Sequence, residues 1–69
     1  MELLIIKTGE DYIRVLETGF SICGMDKASV FPMEKLTRVQ AHVRDLERQR
    51  FTGVKIHKLT IIETPFEGA

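Results

Sequence analysis

The stretch PMEKLTRVQAHVRDLERQR, residues Pro32 to Arg50, decides the fold. Met33, Leu36, Val39, Val43 and Leu46 recur at spacings of three and four, which sets them in one apolar stripe on a helix. Lys35, Arg38, Arg44, Asp45 and Arg48 occupy the opposite face. Pro32 suits a first helical position, where its missing N–H costs nothing and its φ is already helical. Glu34 falls in the first turn, four residues before Arg38, in the favourable order for an ion pair. Arg48 and Arg50 fall in the last turn, where positive charge complements the helix dipole, and Gly53 offers a stop. The spacing therefore predicts a helix over 32–50, about 28 Å long at about 1.5 Å per residue. Leu36, Val39, Val43 and Leu46 also fit the a and d positions of a coiled coil. They span fewer heptads than a coiled coil requires, so the stripe is expected to pack on a sheet of the same chain.

Upstream, Met25 to Leu36 reads MDKASVFPMEKL, with Phe31 and Pro32 where a Ser, Thr, Asp or Asn helix cap would normally stand. Proline pushes the residue before it into an extended conformation. Ala28 and Val30 then point one way and Ser29 and Phe31 the other, as in a short strand or extended connector. The segment is expected to be a joint, with Phe31 or Val30 pinning the helix entry to the core.

The flanking segments read as strands. Leu3 to Ile6 is a continuous apolar run, as in a strand buried on both faces. After the turn residues around Gly9, Ile13 and Val15 alternate with Tyr12 and Arg14, which predicts a half-buried strand joined to the first as a hairpin. Phe20 and Ile22 alternate with Ser21 and Cys23 in a third, short strand. The last strand is expected over Val54 to Thr64. Its first half is apolar on one face and its second half on both, which requires either a central position or a bulge near Lys58.

The order β-β-β-α-β implies an α+β domain over residues 1–64, followed by a short tail at 65–69. Its sheet is expected to be small, three- to four-stranded and mainly antiparallel, with the amphipathic helix Pro32–Arg50 on one face. One helix covers one face only. Leu4, Ile6 and either Leu59 and Ile61 or Ile62 are expected on the other, where a second copy of the chain is the simplest cover.

Composition narrows the function. The 69 residues carry ten Lys and Arg against ten Asp and Glu, with 43% hydrophobic content, so the chain is neither disordered nor globally basic. The apolar run near Met1 is too short for a signal segment or a membrane span, and an acidic Glu2 precedes it, so a soluble, cytoplasmic protein without membrane contact is expected. The single Cys23 forms no internal disulfide and reads as a small buried hydrophobe. Cys23, His42 and His57 share no metal-ligand spacing. No nucleophile motif or phosphate loop is present. No catalytic residue, cofactor or metal site is therefore expected, and a non-enzymatic module acting by protein contact, self-associating as a homodimer, is the leading expectation. The alternative is a nucleic-acid accessory protein. Residues 34–58 carry seven cations against three acids, and Lys35, Arg38, Arg44 and Arg48 are its candidate phosphate contacts. No aromatic stacking platform accompanies them.

Lys27, Ala28, Phe31, the helix beginning at Pro32 and the strand Val54 to Glu63 together resemble a pattern in small uncharacterised bacterial and prophage-type proteins. In those, a Lys-Ala-x-x-Phe segment precedes a single helix and a final strand alternates Ile, Val and Leu up to an acid. The resemblance spans about half the chain and implies a compact α+β module with no assigned activity and no functional residues.

Overall fold

A computed structural model describes residues 1–66; of the expected tail, residues 67–69 lie outside the described residues. The fold is α+β. Strands β1 (Glu2–Thr8), β2 (Asp11–Leu16), β3 (Gly19–Cys23) and β4 (Val30–Pro32) precede helix α1 (Leu36–Arg48), and β5 (Val54–Thr60) follows it. All strand pairs are antiparallel.

The apolar run makes β1 the centre of the sheet, as its composition implies. β5 pairs along one edge of β1 for its full length. The other edge is shared: β4 lies beside Leu3–Ile5, and β2 beside Lys7 and Thr8. The β1–β2 turn is the two residues Gly9 and Glu10, with Gly9 at φ 60°. A positive φ at the first turn residue alone is the type II′ pattern, whose twist matches the strands. Beyond Tyr12, β2 leaves β1 and continues as a hairpin with β3. That departure leaves Ile13 and Val15 without a strand on the β1 side, and Ser29 takes its place. Its backbone N–H donates to the Ile13 carbonyl at 3.1 Å, and its Oγ accepts from the Val15 N–H at 2.8 Å.

The sheet has five strands because the connector before the helix is itself a strand, β4. Pro32 ends that strand at φ −67°, ψ 155°, so it does not start the helix. A 3-10 turn, Met33–Lys35, intervenes, and α1 begins at Leu36. The helix is thus 13 residues, about 20 Å, rather than the expected 19. Its end also differs. Arg50, not Gly53, takes the left-handed conformation that closes it, at φ 71°. The Arg50 N–H donates to the Glu47 carbonyl and the Phe51 N–H to the Leu46 carbonyl, the Schellman pattern. Gly53 serves a different purpose. At φ 62°, it brings its carbonyl to the Gly9 N–H at 3.3 Å, and a Cβ on Gly53 would stand only 3.3 Å from that same nitrogen.

Leu4, Ile6, Ile13, Val39 and Leu46 form the buried core, with Val15, Phe20, Phe31, Val43, Phe51, Val54 and Ile56 packed around it. The helical stripe is buried only at Val39 and Leu46, with Val43 half-buried; Met33, in the 3-10 turn, and Leu36, at the start of α1, stay exposed. The His42 ring lies 5.8 Å from both Phe20 and Phe31, edge-on to Phe20 and tilted against Phe31. Phe31 is half-buried and does join the helix to the core.

Candidate protein-contact surface

The sheet's pleat assigns each β1 side chain to a face. Leu4 and Ile6 face the helix, which corrects the expectation that they point away. Leu3 and Ile5 occupy the second face instead. Residues directly opposite one another share a face, so Pro32 and Leu59 join Leu3, and Val30 and His57 join Ile5. Ile61, which bonds Met1, extends the same row. The outcome is a band of Leu3, Ile5, Val30, Pro32, Leu59 and Ile61 across three strands. Ile5, at its centre, is only 2% exposed, whereas Val30 is 46% exposed. Lys7 and Tyr12 bound one end, with the Lys7 ammonium 5.0 Å from the Tyr12 ring centre. Cys23, opposite Tyr12, is half-buried on this same face, so it is less enclosed than its composition suggested.

β5 supplies the band's outer border and also an open strand edge, since among the described residues it pairs only with β1. The register with β1 runs unbroken from Thr60 to Val54, so there is no bulge at Lys58. The apolar-on-both-faces pattern therefore belongs to a strand end that has no neighbour on its outer side. Ile61 and Ile62, just past the end of β5, are 44% and 80% exposed. Charge flanks this end on both sides: Lys55 and Lys58 precede it and Glu63 follows, all exposed. Lys58 Nζ, on the helix-side face, lies 3.1 Å from Glu2 Oε2.

The four basic helix residues are exposed but do not converge. At about 100° per residue, only Arg44 and Arg48 are neighbours along one line, and Lys35 precedes α1 altogether. Arg48 also engages Asp45 at 3.2 Å. Glu34 lies in the 3-10 turn, and no ion pair to Arg38 forms among the described residues. No protein-family model, no curated protein and no solved structure matches the chain.

What the surface can do is accordingly read from its own groups. Among the described residues, no three His, Cys, Asp or Glu side chains are grouped to hold a metal ion. No helix among them is long and apolar enough to cross a membrane. An open groove of about 360 Å³ runs between Thr8, Ile22, Gln49, Arg50, Phe51 and Thr52. Ile22 shares a face with the buried Ile13 yet overhangs the core into this groove, 55% exposed. The groove's two hydroxyl-bearing residues are tied to each other, Thr8 Oγ1 donating to the Thr52 carbonyl at 2.7 Å. Sequence patterning pointed to a surplus of apolar sheet positions. It did not identify Val30, Pro32 or the free edge of β5, which depend on the pairing of β4 and on which edge of β1 each strand occupies.

Proposed function

We propose that this protein is a non-enzymatic module that acts by protein–protein contact and associates with itself at the open β5 edge of its sheet, which borders the face its helix leaves uncovered. The observation that carries this reading is the apolar band Leu3, Val30, Pro32, Leu59 and Ile61, which runs to an open strand edge. Small soluble domains rarely leave a contiguous apolar surface beside an unpaired edge without a partner, because such edges template association. The free, half-buried Cys23 fits a cytoplasmic setting, where thiols stay reduced. Light scattering across micromolar concentrations tests the reading. A mass that rises toward twice that of one chain supports it, and a constant monomer mass overturns it.

A further inference from the structure

We infer that the partner is a second copy whose β5 pairs antiparallel with β5 across a two-fold axis at Leu59, making one continuous sheet. The inference rests on the self-association proposed above and gives it a geometry.

The direction of the backbone groups comes first. The Ile61 N–H donates to the Met1 carbonyl at 2.8 Å, and the Met1 nitrogen donates to the Ile61 carbonyl at 3.1 Å. Ile61 therefore points its backbone groups at β1. Alternation carries this along the unbroken register: Leu59, His57 and Lys55 also bond inward, and Ile56, Lys58 and Thr60 present theirs to the open edge.

Charge then selects the register. A two-fold axis perpendicular to the sheet must pass beside one residue of β5. Centred on Lys58, it sets two lysines directly opposite each other, which is destabilising. Centred on His57, it leaves Ile61 and Ile62 beyond the paired segment. Centred on Thr60, it sets Lys58 against Ile62 and leaves Lys55 without an acid. Centred on Leu59, and with residues 61–63 extending β5 as the copies pair, it sets Lys55 of each copy opposite Glu63 of the other, His57 opposite Ile61, Ile56 opposite Ile62, Lys58 opposite Thr60 and Leu59 opposite itself. Both ends of the paired segment then carry an opposite-charge pair, and no like charges stand directly opposite; the two Lys58 side chains are diagonal neighbours.

The same register accounts for the exposed strand end. Ile62, 80% exposed, comes beside Ile56 of the second copy at the border of that copy's core. Leu59, Lys55 and Glu63 fall in pairs without hydrogen bonds on this edge, where side chains approach more closely. The β5 residues that pack against the core are Val54 and Ile56, both before Leu59, so the two helices sit toward opposite ends of the joined strands.

Charge reversal tests the register on exposed residues that leave the core intact. Lys55→Glu or Glu63→Lys alone is expected to weaken dimerisation about tenfold or more, because two attractive pairs become repulsive. The double variant Lys55→Glu/Glu63→Lys is expected to restore it. In a Cys23→Ser background, Leu59→Cys is expected to form a covalent dimer on oxidation, since directly opposed residues without hydrogen bonds lie within disulfide reach. Lys58→Cys, out of register with itself, is expected not to. A dimer that ignores both reversals and does not cross-link through Leu59→Cys overturns the edge register alone. A chain that stays monomeric overturns the self-association as well.

Discussion

Met1 and Ile61 exchange two backbone hydrogen bonds, 2.8 and 3.1 Å long, at the end of the β1–β5 ladder. This pair determines which backbone groups of β5 are already used and which are free. It separates two proline substitutions one residue apart. Thr60→Pro removes an N–H that points to the open edge, a place where strands tolerate proline. It is expected to cost the monomer little and to abolish dimerisation. Leu59→Pro removes an N–H bonded to β1 and is expected to unfold the chain. Circular dichroism melts alongside light scattering distinguish the two; equal effects on folding would contradict the assigned alternation.

Phe31 links β4 to the helix through the core and through His42, 5.8 Å from its ring. It is half-buried, so Phe31→Ala is expected to destabilise by about 2–3 kcal/mol, below the range for fully buried phenylalanine. Urea unfolding measures this. A loss under about 1 kcal/mol would mean that the segment before the helix is not the joint the structure makes it.

How far these features were legible before the structure differs from residue to residue. The α+β architecture follows from the stripe of Val39, Val43 and Leu46 and from the alternation of Ile13 and Val15. The facing of Leu4 and Ile6 does not follow from a continuous apolar run, which looks alike from both sides. It needed the hairpin register: counted back from the Thr8–Asp11 pair, Ile6 shares a face with the buried Ile13. Pro32 misplaced the helix start because its φ serves equally well at the end of a strand, and only ψ 155° separates the two. Gly53 misplaced the helix end because another backbone contact, with Gly9, claims its positive φ. In the candidate surface, Leu59 and Ile61 stood out as surplus apolar residues, whereas Val30 and Pro32 entered only once β4 was seen to pair with β1.

Ser29 provides a sharper test of local hydrogen bonding. Its Oγ accepts from the partly buried Val15 N–H at 2.8 Å, where β2 has left β1. Ser29→Ala removes that acceptor and leaves the donor unpaired. The expected cost is about 1–2 kcal/mol, because an unsatisfied buried donor loses its full desolvation energy. Amide hydrogen exchange at Val15 should quicken more than at Ile6; uniform exchange across the sheet would contradict the role given to Ser29.

Arg50 holds a left-handed backbone at φ 71° with a full side chain, at a helix end where glycine is preferred. Arg50→Gly is expected to stabilise the fold by about 0.5–1 kcal/mol, the relief of left-handed strain outweighing glycine's greater unfolded-state freedom. The urea midpoint should rise with the slope unchanged. A fall in the midpoint would show that the arginine side chain contributes more than its backbone strain costs.

A second copy of the chain is proposed to complete the sheet. Sedimentation equilibrium at micromolar concentrations tests it most directly. The expected result is a concentration-dependent mass approaching twice the 7.9 kDa of one chain, an association weakened by Lys55→Glu and recovered by adding Glu63→Lys. A mass that stays at one chain across the whole concentration range would contradict it.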